Sequence, residues 1–499
     1  MYRFDFIKYK SDMKKISTTT ILLTSLLTMS CSKEFIRINP ISTVSIDVLY
    51  KTDKDFADAL VGVYAVYQTE YANMWQYGDV RGDDTRSGLV SNLALSDLDK
   101  FILNNDAAVI LSSWQNLYNI INRANNILVN IAKSDPAVVK NKNQYTGEAE
   151  FLRALAYFNL VRIFGDVPLI TANLSIDDSY KSGREKVDNI YDQLIIKDLL
   201  DATKKLPVKY SAADIGKATQ GAAKSLLGKV YLTRKDFVNA EATLNNVTTL
   251  GYSLLKNFND LFDYTKDEHH SEYIFDIEYE QGLGNEGSTF TTQFSVSFQG
   301  AGVIANYMAT AYGLPPAGGN DQGCPADALF AAFDPNDLRK DITVAKGFTY
   351  NGVYTPISTT GIGSFTKKYM TPMIKANDSR ANWKVIRYAD VLLMYAEALN
   401  ENGKTTDALT YLNQVRARAG LPGFTNISKD DTREKIYQER RFELYLEGHR
   451  WFDLVRTGRA LAVCQSLGMK PYMTLFPIPQ TQIEIINNPA IFPQNPGYQ

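Results

Sequence analysis

Apolar positions recur at helical spacing along most of this chain. Phe56, Leu60, Val63, Tyr64 and Tyr67 form one stripe; Trp114, Leu117, Ile120, Ile121, Ala124 and Leu128 form a second. Phe151, Leu152, Leu155, Phe158, Leu160 and Ile163 form a third, which Gly165 and Pro168 bring to a stop. The same spacing predicts helices at about 187–203, 217–233 and 236–248. The last two carry Leu227, Gly228, Tyr231, Ala240 and Leu244, the tetratricopeptide pattern with Leu in the place of its Phe, and Tyr395, Ala396, Leu399, Ala408 and Leu412 repeat it. Small residues let paired helices approach, large ones fill the groove between pairs, and each pair leaves a face for the next to cover. Between the two matches the pattern changes: Glu272–Glu280 and Thr289–Phe298 alternate as strands do, and residues 299–330, rich in Gly, Ala and Pro, read as loops. The expected fold is mainly α. Tetratricopeptide-like helix pairs form a bundle, with the helical scaffold at about 50–250 and 384–460 and an irregular loop and short-strand insertion at about 251–380.

The N-terminus adds a compartment. Lys14 and Lys15 precede an apolar run, Ile21–Met29, broken only by Thr and Ser, and Ser30-Cys31 follows it. This is the layout of a secretory signal over residues 1–30, with Met13 as an alternative start. The run falls short of the roughly 20 apolar residues a transmembrane helix needs. Cys31 resembles the lipidated cysteine of a bacterial lipoprotein, and Ser32-Lys33-Glu34 resembles the charged tag that sends such proteins to the cell surface in Bacteroidetes. Removal of the signal leaves 48 basic against 53 acidic residues, a surface not built to adhere to anionic lipid. The whole chain, at net charge −2, lacks the basic surplus of a nucleic-acid binder. Three cysteines cannot make a disulfide scaffold, and the sequence leaves open whether Cys324 and Cys464 pair. Three histidines leave little room for a metal or catalytic system built on them, so no metal, cofactor or catalytic residue is expected.

Motifs that suggest enzyme chemistry do not survive their context. Gly282-Leu-Gly-Asn-Glu-Gly287 has dinucleotide spacing but is followed by strand-like alternation, where pyrophosphate binding needs a helix N-terminus; it reads as a hairpin loop. Gly403-Lys-Thr405 is the turn between two repeat helices. His269 and His270 are adjacent and diverge, so with Asp267 and Glu268 they read as a solvated loop. Glu447, Arg450, Asp453 and Arg456 alternate in charge at i+3 steps, a fold-locking ladder on one helix face.

The candidate binding face is the segment Glu70–Arg86. Tyr71, Trp75 and Tyr77 offer aromatic faces, and Arg81, Asp83, Asp84 and Arg86 offer hydrogen-bonding groups. Sugar rings have apolar C–H faces and a hydroxyl rim, which such a mixture suits. Tyr307 and Tyr312, in the Gly-rich stretch, are further candidates, and Trp383 is expected to pack inside. The opposing expectation is that Trp75 and Tyr77 cap the core.

Several segments resemble one family. These are Ala149-Glu-Phe-Leu-Arg-Ala-Leu-Ala-Tyr-Phe-Asn159 with Gly165-Asp-Val-Pro-Leu169, and Ile386-Arg-Tyr-Ala-Asp390 running on to Glu397-Ala398. Glu439-Arg-Arg-Phe-Glu-Leu444, Glu447-Gly-His-Arg-Trp-Phe-Asp-Leu454, Leu475-Phe-Pro-Ile-Pro-Gln480 and Gln494-Asn-Pro-Gly-Tyr498 complete the set. Together they resemble the SusD/RagB family of Bacteroidetes outer-membrane lipoproteins, over residues 31–499 as a single domain. The resemblance implies a non-catalytic, lipid-anchored surface protein. It would capture oligosaccharides and deliver them to a SusC-like TonB-dependent transporter, acting as its lid. It also implies that the Glu70–Arg86 region contributes to the ligand site. A RagB-like lid with peptide cargo is the alternative, ahead of a surface hydrolase or a protein-interaction scaffold.

Overall fold

Thr52 starts the first long helix, α1 (Asp53–Trp75), with a reciprocal cap: its hydroxyl accepts the Asp55 N–H, and the Asp55 carboxylate accepts the Thr52 N–H at 2.8 Å. The computed structural model describes residues 49–86, 93–211, 214–284, 286–296, 319–350, 352–357 and 363–498. By its internal contacts Thr52–Gln499 forms one unit, apart from Met1–Lys51. From α1 the helices stack in chain order. α1 packs on α2 (Ala108–Lys133), α2 on α3 (Lys142–Phe164), and α3 on α4 (Ile196–Lys205). α4 packs on α5 (Gln220–Thr233), and α5 on α6 (Phe237–Thr248).

The stack then skips residues 249–387. α6 packs directly on α7 (Tyr388–Glu401), which packs on α8 (Thr405–Arg418) and α9 (Lys429–Glu443). The junction is specific: the Tyr395 hydroxyl donates to Asn245 Oδ1 at 3.0 Å, and Asn402 Nδ2 donates to Glu241 Oε2 at 2.7 Å. The two sequence matches to the repeat pattern are therefore neighbours in space. Their small residues act as the pattern requires: a Cβ on Gly228 would lie 2.5 Å from Leu244 Cδ2, and Ala396, Ala408 and Leu412 have no exposed surface.

The strands are short and pair antiparallel. β1 (Thr85–Arg86), β2 (Tyr273–Ile277), β3 (Cys324–Pro325), β4 (Gly347–Tyr350), β5 (Val353–Pro356), β6 (Met373–Lys375), β7 (Asp378–Ser379) and β8 (Trp383–Arg387) form the pairs β1–β3, β2–β8, β4–β5 and β6–β7. β8 runs straight into α7, so the insertion is welded to the stack at that point. Two expectations are corrected here. The described part of the 289–298 stretch, residues 289–296, does not form a strand: Phe290–Phe294 is a short helix. Phe290 and Phe294, four apart, share its buried face and pack on Trp383 and Tyr369, with ring centroids 5.1 and 5.3 Å away. Across the glycine segment the Glu280 N–H donates to Glu286 O at 3.1 Å, but a short helix and not a second strand follows it, so the expected hairpin does not form. Leu475–Pro479 is irregular as expected, with Phe476 and Ile478 fully buried.

One buried acid gives the stack a pH response. Glu70 of α1 has no exposed surface, and its carboxylate accepts a hydrogen bond from Asn116 Nδ2 at 3.2 Å. Burial lifts its pKa from 4.5 to about 7, against the lowering effect of its hydrogen bonds. A raised carboxyl pKa means that the neutral form is preferred in the fold. Stability is full below the unfolded value and is lost as pH rises towards 7. Glu70→Gln, which is neutral throughout, is expected to gain about 3 kcal/mol over the wild type at pH 8, fading to almost nothing by pH 4. Denaturant titrations at the two pH values check it.

Candidate functional site

The charged motifs converge at the foot of α7 and hold elements together. Arg387, 1% exposed, bonds Glu447 Oε2 at 2.7 Å, Glu272 Oε1 at 2.9 Å and Glu443 Oε1 at 2.5 Å. Lys368 bonds Glu447 at 2.7 Å, Arg418 bonds Glu272 at 3.0 Å, and Arg339 spans Asp337, Glu439 and Glu443. A second cluster joins Asp390 to Lys229 and Arg440, each at 2.8 Å, and Arg440 to Asp453 at 2.9 Å. Arg456 joins Asp453 to Glu397. Burial and the neighbouring Lys229 lower the His449 pKa to about 3, so this ring is neutral.

These contacts correct the expected ladder. Gly448, at φ +78°, breaks the backbone, and α10 (Arg450–Arg456) starts only beyond it. Glu447 therefore lies off the helix. Arg450 pairs with neither Glu447 nor Asp453 but forks onto Asp83 at 2.7 and 2.9 Å, and Arg441 takes Asp84.

The expected binding face is thus part of the framework. α1 runs on to Trp75 and then widens into a π-helical turn, Gln76–Val80, so Glu70–Val80 is no loop. Trp75 and Tyr77 have no exposed surface, Tyr71 has 4% and Arg81 1%. Trp75 meets Phe294 edge-on at 5.1 Å, Tyr77 meets Phe476 at 5.0 Å, and Arg81 lies over the Phe101 ring at 4.1 Å. The Tyr71 hydroxyl receives Asn159 Nδ2 at 3.2 Å. Gly78 explains the fit: a Cβ there would lie 2.4 Å from Gly448 Cα, so the two backbones touch, and Asp79 accepts the Gly448 N–H at 2.8 Å. None of these four side chains can present a face to a ligand, and Asp83 is held by Arg450. Trp383 is buried as expected. Cys31, Tyr307 and Tyr312 lie outside the described residues.

Arg86 pairs with Cys324 in the β1–β3 ladder. Val296 and Gly319, which flank the stretch holding Tyr307 and Tyr312, are joined by a 2.9 Å backbone bond. Cys324 and Cys464 are both free and buried. His269 pairs with Glu278 at 2.7 Å and Glu268 with Arg380 at 2.8 Å, and no group of three or more His, Cys, Asp or Glu among the described residues could hold a metal. No described helix is long and apolar enough to cross a membrane.

A groove of about 710 Å³ opens elsewhere, between α2, residues 168–182 and the C-terminal residues 482–492. Tyr118 and Tyr180 give it aromatic walls over the buried Trp114, and Gln115, Asn119, Asn122 and Gln482 line it with amides. It is not legible in the sequence, where Trp114 belongs to an apolar helical stripe and the amides beside it carry no signal. The amides at 115, 119 and 122 do share one helix face, but the opposite wall comes from distant parts of the chain.

Residues 271–467 match the SusD family, and residues 39–232 match the family described as starch-binding associating with outer membrane. The chain is 29% identical to SusD-like protein P2 of Formosa agariphila, over 97% of this chain and all of that protein. It is 26% identical to the starch-binding protein SusD of Bacteroides thetaiotaomicron, over 70% of this chain and 72% of that one. Among solved structures, a laminarin-binding SusD-like protein is similar at a TM-score of 0.74 and 29% identity, over 90% of this chain and 100% of that one. With its helix stack, its interlocked motifs and these likenesses along nearly its whole length, the chain belongs to the SusD/RagB family.

Proposed function

We propose that this protein captures an oligosaccharide at the outer-membrane surface and delivers it to a SusC-like TonB-dependent transporter, over which it acts as a lid. It performs no chemistry on the ligand. The observation that carries the reading is the likeness, over 90% of the chain, to a laminarin-binding SusD-like protein. The charged motifs support the non-catalytic part: their acids and bases are spent on buried pairs between structural elements.

Calorimetric titration against laminarin, maltohexaose, xylan and mixed peptides tests it, with product analysis of each mixture. A glycan is expected to bind and to be recovered intact. Binding of peptide alone, or turnover that scales with protein and survives repurification, would replace the reading. The anchor has its own test. Cys31→Ala is expected to move the protein from the membrane fraction to the soluble one, since stable retention requires several acyl chains. Retention unchanged in the variant would count against a lipid on Cys31.

A further inference from the structure

We infer that the groove between α2, residues 168–182 and residues 482–492 is a binding site for an uncharged oligosaccharide. This rests on the capture function above and gives it a site and a ligand class.

The first argument is charge. No Asp, Glu, Lys, Arg or His is among the described residues lining the groove, although 22% of the chain is charged. Uronates, sulfates and phosphates are recognised by Arg and Lys, which pair with them at close range. A groove without either favours a neutral ligand. The second argument is unspent hydrogen-bonding capacity. The side chains of Gln115, Asn122 and Gln482 make no hydrogen bond to another described residue. Asn119 uses only its carbonyl oxygen, to accept Arg123 Nε at 3.0 Å. Each amide offers both a donor and an acceptor, as a row of sugar hydroxyls requires. The third argument is the apolar surface between them. Tyr180 is 52% exposed at the rim. Tyr118 is fixed inside, its hydroxyl donating to Pro168 O at 2.8 Å and its ring 5.1 Å from that of Trp114. Such ring faces take the C–H faces of sugars. The volume lies within the usual range of ligand sites, about 300–1,000 Å³.

The test uses the full chain with Tyr180→Ala and Asn122→Ala, two substitutions outside the core, each titrated with laminarin, maltohexaose, xylan and an oligogalacturonate, alongside thermal melts. The expected result is unchanged melting with roughly tenfold weaker binding of the neutral glycan in each variant. If the wild type binds a neutral glycan and both variants match it, the groove is not the site, while the capture function stands. The same holds if the variants keep glycan affinity but lose co-purification with the transporter, which would make this face a protein contact. Tighter, groove-dependent binding of the oligogalacturonate would overturn the neutral specificity. A wild type that binds none of the neutral glycans would remove both the groove assignment and the function it rests on.

Discussion

Replacing Arg387 with alanine is expected to cost about 3–5 kcal/mol or more, a large share of the 5–15 kcal/mol that folded domains typically possess. The guanidinium is buried and touches Glu272 of the insertion, Glu443 at the C-terminal end of α9 and Glu447 just beyond it. Without it three carboxylates lose a partner where water cannot replace it. Lysine should not rescue the loss, because a point charge cannot fork onto three acids. The pH dependence gives a second readout. Burial alone would raise these acids, but Arg418, Arg387 and Arg339 outweigh it at Glu443 and hold its carboxyl well below the usual range. Arg387 and Lys368 do the same at Glu447, bringing it down to about 2. A depressed carboxyl contributes stability above its unfolded pKa and loses it as pH falls through the folded one. The wild-type contribution should thus persist to about pH 4.5 and vanish towards pH 2. In Arg387→Ala the acid transition should move upward. Circular dichroism melts between pH 2 and 7 measure both effects, and an unshifted acid limb would mean that Arg387 does not hold these acids.

Trp75→Ala is expected to unfold the protein more readily and to leave the ligand affinity of the folded fraction unchanged. The indole has no exposed surface, its Nε1 donates to Ala72 O at 3.0 Å, and its edge meets Phe294. Phe294 in turn packs on Phe290 and Tyr369. Trp75 thus couples the end of α1 to the aromatic core of the insertion. Truncating a buried Trp costs about 3–5 kcal/mol, because the removed atoms leave a cavity the surroundings only partly fill. Thermal melts alongside titration with laminarin separate the outcomes. Normal melting with weakened binding would return Trp75 to the ligand surface.

The contrast between these residues shows what a sequence exposes. Helices α1 to α6 follow from local periodicity, since a stripe at 3.6-residue spacing records burial whatever covers it. The repeat spacing even signals that α5–α6 and α7–α8 are alike. The Trp75–Val80 segment looks like a loop because Asn73, Gln76 and Gly78 interrupt the stripe. The reason for Gly78 is Gly448, whose approach no local pattern encodes. The charge ladder keeps only its Asp453–Arg456 step, for the same cause: the i+3 spacing of Glu447 and Arg450 is real, but a positive φ at Gly448 separates them, and each finds its partner in another part of the chain. The groove on α2 escapes the sequence, because its opposite wall comes from residues 168–182 and 482–492.

Because α6 docks directly on α7, the two ends of the long excursion between them are held at fixed points, and Glu272, Arg339 and Lys368 fasten its base to the stack. Chain entropy then treats its outer loops leniently, since doubling the length of an already closed loop costs only about 0.6 kcal/mol. A lost fastening residue costs several times that. Such a scaffold lets loop length and composition drift almost freely at the rim while the handful of charges underneath stays fixed, so new recognition surfaces can be tried on it without refolding the body that carries them.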